Sequence, residues 1–299
     1  VTVLDAEFPQ ALAETGGRPP VLTIRGRLPE GPAVAVVGSR RGDVYGRGAA
    51  ERFARYLAAA GVAVVSGLAR GIDAAAHRGA LSGRGGSTIA ILGCGMGVDY
   101  PRGHAALAAA IAAQGAVVSQ FPCGAGPRPW RFPVRNRVIA ALSEATLVVQ
   151  ATPRSGALTT ARQAGEMGRL VFALPGPAFD PLSWGPHALL RSGARLAAHP
   201  EDILEAILEA RCRNARRHGE DSAPEPDGPA AVVLGALARR SARTAEQVAA
   251  RAAIAPQTAL AALLDLEVAG AVERLPGMAY RLARPRRDRP PPAGAARKV

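Results

Sequence analysis

Ala33-Val34-Ala35-Val36-Val37, followed at once by Gly38-Ser39-Arg40-Arg41-Gly42, is the stretch from which the fold can be read. Five apolar residues without polar alternation describe a strand buried on both faces, the usual condition of a parallel sheet. The abrupt change to glycine, serine and arginine marks the loop at its carboxyl end. Similar short runs rich in Val, Ile, Ala and Leu recur at 62–65, 88–92, 116–119, 146–149 and 170–174. Segments of helical spacing lie between them, among them 48–60, 103–113 and 158–167. Strand, helix, strand at this rhythm predicts an α/β fold with a Rossmann-like, doubly wound, mostly parallel sheet.

Outward from this region the pattern changes on both sides. Residues 1–32 carry five prolines and read as an extended arm; 33–212 is the Rossmann-like domain, closed by a helix over 201–212. Residues 213–229 lose hydrophobicity and gain Pro, Asp, Glu and Gly, the composition of a linker. In 230–282, helical spacing at 231–237, 244–252 and 256–269 precedes a hairpin pattern around Pro276-Gly277, the outline of a winged-helix-like α+β domain. The stretch 283–299, with six basic residues among prolines, reads as a disordered basic tail.

Composition narrows the function classes. The chain has 299 residues, 48% of them hydrophobic, and a net charge of +13. Lys298 is the one lysine among 37 basic residues. A genome rich in G and C accounts for the choice of arginine over lysine; the excess of positive charge points to a polyanionic partner, because neutralised phosphates release counterions. Cys94, Cys123 and Cys212 form no CxxC pair and the five histidines show no ligand spacing, so neither a disulfide framework nor a metal site is expected. No apolar run is long enough for a membrane span and no basic-then-apolar leader is read, so the expected location is cytoplasmic.

In an open parallel sheet, ligands bind beyond the carboxyl ends of the strands. A dinucleotide fingerprint needs a second glycine where Arg40 stands, which argues against NAD or FAD and for an anion held partly by guanidinium. Ser66-Gly67-Leu68-Ala69-Arg70-Gly71-Ile72-Asp73 reads as an anion nest, with Asp73 capping a helix from Ala74 and His77 packed one turn later. The segment 128–137 is read as a loop; its Arg128, Trp130, Arg131, Phe132, Arg135 and Arg137 alternate cations with aromatic rings, a pattern suited to single-stranded nucleic acid. Ser155, Thr159 and Thr160 offer hydroxyls at the start of a further helix, and Pro175-Gly176-Pro177 ends the last strand run.

Taken in order, Gly38-Ser39-Arg40, the 66–73 segment, Phe132-Pro133 with Arg135-Asn136-Arg137, the 155–161 segment and Pro175-Gly176 resemble the DNA-processing protein A (DprA/Smf) family. The resemblance covers roughly residues 5–210, with the small domain similar on weaker grounds. It implies single-stranded-DNA binding without catalysis or cofactor, protection of incoming DNA, homodimerisation through the Rossmann-like domain and delivery to a RecA-type recombinase in natural transformation. It also implies a phosphate pocket of Ser39, Arg40, Arg70, Gly71, Arg135, Asn136 and Arg137, with Phe132 stacking a base; Ser66, Gly67, Arg128, Arg131, Ser155, Thr159 and Thr160 complete the expected interface. Gln120 and Gln150 stand where the family commonly has Glu, which favours an anion electrostatically, and Pro129 stands where it has a basic residue that Arg128 or Arg131 would replace. Two other readings are a nucleotide hydrolase using Asp73 or Asp99, and a duplex-binding regulator using 230–282. Glutamine at 120 and 150 speaks against the first. The absence of arginine from 256–267 speaks against the second.

Overall fold

The computed structural model describes residues 1–5, 8–13, 15–16, 19–83, 85–221, 229–237, 242–268, 271–275 and 279–282. The chain divides into two units, Val1–Arg211 and Cys212–Val299.

The first unit is a Rossmann-like, doubly wound domain. Its strands, in chain order, are β1 (Thr23–Gly26), β2 (Ala33–Val37), β3 (Ala63–Ser66), β4 (Thr88–Ile91), β5 (Ala116–Ser119), β6 (Ala145–Val148), β7 (Leu170–Ala173) and β8 (Arg195–Leu196). They form one sheet in the order β1-β5-β4-β3-β2-β6-β7-β8, all neighbours parallel except the antiparallel pair β1–β5. The helices are α1 (Gln10–Ala13), α2 (Val44–Ala59), α3 (Ile72–Ser82), α4 (Ala105–Gln114), α5 (Arg131–Ala141), α6 (Gly156–Glu166), α7 (Trp184–Arg191) and α8 (Pro200–Asp221).

The opening strand shows why the fold closes as it does. Val34 and Val36 point into one layer with Phe53 and Leu57 of α2, Ile72 of α3 and Ile203 of α8. Ala33, Ala35 and Val37 point into the other, with Leu12 of α1, Ile139 of α5 and Ala161 of α6. Every residue of β2 is therefore covered, each large side chain contributing roughly 1.5–3 kcal/mol on burial. No polar alternation is tolerable there.

The arm expected at 1–32 is folded onto the sheet: α1 and β1 lie within it, and Phe8, Leu12 and Leu22 are buried in the second layer. Helix α8 continues to Asp221 through the first half of the expected linker, whereas 222–228 lie outside the described residues. The segment 128–137 is not a loop throughout, because α5 begins at Arg131. Pro133 sits in the first turn of α5, where a missing N–H removes nothing.

The second unit has α9 (Pro229–Ala236), α10 (Ala245–Ala252), α11 (Pro256–Val268) and a three-stranded antiparallel sheet of β9 (Arg243–Thr244), β10 (Val272–Leu275) and β11 (Ala279–Leu282), in the order β10-β11-β9. Thr244 and Gln247 form a reciprocal capping box on α10, and Tyr280 is enclosed with Val248 and Leu263. This is a winged-helix arrangement. The turn at Pro276-Gly277 and the expected tail at 283–299 fall outside the described residues.

Candidate functional site

The chain leaves β2 to build β3, β4 and β5 on one side, then returns to place β6, β7 and β8 on the other. The strand order thus switches between β2 and β6, and the loops diverge there to open a crevice. A cavity of about 260 Å³ occupies that switch point, lined by Ser39 and Arg40 after β2, Asn136 of α5, and Ser155, Gly156 and Thr160 at the start of α6. A larger basin of about 600 Å³ lies beyond β3 and β4, lined by Arg40, Arg41, Arg70, Arg102, Tyr100 and Phe132, with Gly67 and Arg135 deeper in. Arg40, Phe132 and Arg135 line both.

The wall between crevice and basin is aromatic. The Arg40 guanidinium lies 4.9 Å from the centroid of the Phe132 ring, and the Tyr100 ring is tilted against it at 5.6 Å. Around the basin Arg40, Arg41 and Arg70 are exposed, and among the described residues none of these three, nor Arg102, has a carboxylate within ion-pair distance or a hydrogen-bond acceptor for its guanidinium. Four cations with no carboxylate or hydrogen-bond acceptor among the described residues, one of them stacked on Phe132, are free to meet an external anion.

Beneath the rim the same residue type does different work. Arg135 is 4% exposed; its Nη1 donates to the Gly67 carbonyl at 2.7 Å and to the Ile91 carbonyl, and its Nε donates to Asn136 Oδ1 at 3.2 Å. Burial lowers this guanidinium to about 10, opposed by the charge of Asp73. Asn136 Nδ2 in turn donates to the Gly156 carbonyl at 3.1 Å, tying α5 to α6. Ser66 is buried, its hydroxyl donating to the Val36 carbonyl at 2.7 Å. These residues brace the strand ends.

Asp73 does not cap the helix, which starts one residue earlier with Gly71 at its N-cap. Its Oδ2 instead accepts from the amides of Gly67 and Ala69, at 3.1 and 3.4 Å, and so fills part of the expected nest internally. Burial raises the Asp73 carboxyl, and the neighbouring Arg135 charge partly offsets this. Gly71 has φ +77, and a Cβ there would stand 2.4 Å from the Ser39 carbonyl oxygen. The β2 and β3 loops touch at this point, which only glycine permits. His77 is fully enclosed, with Nδ1 2.7 Å from Thr88 Oγ1; burial chiefly, with the Arg135 charge, lowers it to about 3.

Five of the expected residues besides Ser66 and Gly71 fall away from the cavity walls. Arg137, two positions beyond Arg135 and so on another side of α5, donates through Nε to the Gly16 carbonyl at 2.9 Å and lines neither cavity. Arg131 is held 5.0 Å over the Phe121 ring and 5.2 Å over Trp130, donating to the Gly126 carbonyl, while Arg128 is exposed apart from both cavities. Trp130 packs edge-on against Phe121 at 6.0 Å, with 56% of its surface exposed. Thr159 lines neither cavity, whereas Thr160 is 1% exposed and lines the crevice. Gln150 directs its side-chain hydrogen bonds to Asp43: its Oε1 accepts from the Asp43 amide at 3.2 Å and its Nε2 donates to Asp43 Oδ1 at 3.0 Å. A glutamate at 150 would face that carboxylate.

Sequence reasoning passed over Tyr100, Arg102 and Arg41. The first two lie in the loop after β4, where an aromatic residue, a proline and an arginine in succession at a strand end were the available signal. Of the carboxylates considered for hydrolysis, Asp73 is engaged as described, and Asp99 borders a separate hollow of about 160 Å³ with Met96 and His104. Among the described residues no cluster of three or more His, Cys, Asp or Glu could hold a metal ion, and no helix is long and apolar enough to cross a membrane.

Comparison with known proteins matches residues 1–208 to the family described as DNA recombination-mediator protein A, and residues 218–278 to the DprA winged helix domain. Protein Smf of Escherichia coli is 43% identical over 94% of this chain and 76% of its own length. The X-ray structure of DNA processing protein A from Streptococcus pneumoniae superposes with a TM-score of 0.66 at 40% identity, covering 69% of this chain and 72% of that one. A Helicobacter pylori structure, described as giving insights into the unique single-stranded DNA binding mode of DNA processing protein A, gives a TM-score of 0.62 at 29% identity, covering 68% of this chain and 94% of that one.

Proposed function

Because this chain belongs to the DNA recombination-mediator protein A family, we propose that its basin receives the backbone of single-stranded DNA and that the protein is a non-enzymatic strand binder. The observation that carries this reading is the set Arg40, Arg41, Arg70 and Arg102, whose guanidinium groups meet no acceptor among the described residues, around the Tyr100–Phe132 pair. Guanidinium groups pair with phosphates whatever the sequence, and rings accept any base face. Ser39 and the Asn136 and Arg135 braces position the set. The Helicobacter pylori relative supports the choice of a single strand.

On the same premise the protein protects incoming strands, acts as a cytoplasmic homodimer and hands DNA to a RecA-type recombinase during transformation and recombination. The family and its DNA-processing relatives support this wider role. The second unit is better suited to protein than to duplex contact, since α11 carries Asp265 and Glu267, the latter paired with Arg274 at 3.6 Å.

A mobility or anisotropy assay with single-stranded and duplex oligonucleotides at two salt concentrations tests the reading. Tighter single-strand binding is expected, with a log–log salt slope near −3, about −0.7 for each of four phosphates neutralised. Equal affinity for both forms would reject it.

A further inference from the structure

The crevice at the switch point is walled off from the basin by Phe132 and carries donors of its own. Thr160 is 1% exposed, lines the crevice, and its hydroxyl has no hydrogen-bond partner among the described residues. The Thr160 oxygen is not one of the sealed buried atoms, so what little surface Thr160 keeps includes the hydroxyl, which is available to a ligand in the crevice. Nearby, α6 begins at Gly156, whose amide donates to no acceptor among the described residues and above which an added Cβ would meet nothing within 4 Å. The helix N-terminus adds a partial positive charge, and Arg40 lends a full one. Asp73, the one acid in the lining, already accepts two amides through Oδ2.

We propose that this crevice binds a phosphate monoester, and specifically the terminal phosphate of a DNA strand whose adjoining nucleotides lie in the basin. A monoester brings three terminal oxygens and a charge of −1.5 to −2 near neutral pH, against two oxygens and a single charge for an internal diester. Arg40, the Gly156 amide and the Thr160 hydroxyl provide one donor for each oxygen. The volume, about 260 Å³, suits a phosphate with its sugar. The strand assignment rests on the basin reading; the monoester chemistry also fits a free nucleotide, and the experiment separates the two.

The test measures binding of the full chain to one oligonucleotide prepared with 5′-phosphate, 3′-phosphate or hydroxyl ends, alongside dTMP alone. One phosphorylated end is expected to bind about tenfold tighter, the effect of one or two hydrogen bonds to a charged group. Thr160→Val, which keeps the buried shape, and Gly156→Ala, which places a methyl in open space, should each reduce that preference to less than about threefold. The readout in each variant is the ratio of phosphorylated-end to hydroxyl-end affinity, and an unchanged ratio in both would overturn the site. Binding of dTMP that both variants weaken, with no end preference, would overturn the strand-end assignment and establish a free nucleotide as the ligand. No end preference and no dTMP binding would overturn the site altogether. Failure of the hydroxyl-ended oligonucleotide to bind strikes the basin reading instead, and is read in a separate arm.

Discussion

Two groups of arginines lie within one sheet edge of each other and have opposite fates. Arg70 and Arg102 extend into the basin with their donors unclaimed; Arg135, beneath them, places its donors on main-chain carbonyls of two neighbouring strand ends. The difference teaches that charge does not identify a ligand-binding residue. What matters is whether the donors have already found acceptors inside the fold.

The sharpest way to break this contrast is to remove Arg135. Arg135→Ala removes the donors held by the Gly67 and Ile91 carbonyls, takes the compensating charge from beside buried Asp73 and opens a void at the cavity floor. A loss of about 3–5 kcal/mol is expected in urea denaturation. A loss under about 1 kcal/mol would show that the brace is dispensable.

The interior also has a pH signature. His77 is held near pKa 3, below its ordinary 6.5, so between these values the unfolded chain binds the extra proton and stability falls as pH falls. By pH 4.5 this amounts to about 3 kcal/mol relative to neutral pH. Denaturation of the wild type and His77→Asn at pH 7, 5.5 and 4.5 should show a flatter profile for the variant. Parallel profiles would contradict the assignment.

Substitutions at the rim should affect binding and not stability. Phe132→Ala is expected to weaken single-strand binding by about 1–3 kcal/mol, the usual value of a base–aromatic stack. Arg70→Ala should make the salt slope shallower by about 0.7, equally for all sequences, with the denaturation midpoint unmoved. Smallest is Arg137→Ala: with its guanidinium on the Gly16 carbonyl, it should lower stability by about 1 kcal/mol and leave the slope alone. A changed slope would return Arg137 to the ligand.

The six central strands were legible because two-sided burial admits only continuous apolar runs; β2 and β5 coincide with their runs, and the others differ by a residue or two at their ends. β1 was not legible. It is four residues long, half of them exposed, set among prolines and paired with a single neighbour. α5 was hidden by Pro133 and by the lack of a side-chain cap at Trp130, so neither usual helix signal was present. Missing that helix misassigned its side chains: on a helix Phe132, Arg135 and Asn136 share a face and Arg137 does not. Within the site, Arg40 and Arg70 could be read from sequence while Arg41 and Arg102 were passed over, and the internal acceptors that withdraw Arg135 and Arg137 could not be read. Those acceptors are carbonyls of Gly16, Gly67 and Ile91, distant in the chain and carrying no side-chain signal.

The anchorage of α5 has a mechanical consequence. One flank of this helix presents Phe132 to the cavities, and another is held through Arg137 to the segment that leads into β1. A polymer pressing on the ring therefore pushes against a rod fastened on its far side. Such a tether resists recoil before any guest arrives, and whatever ordering it supplies in advance need not be supplied on arrival.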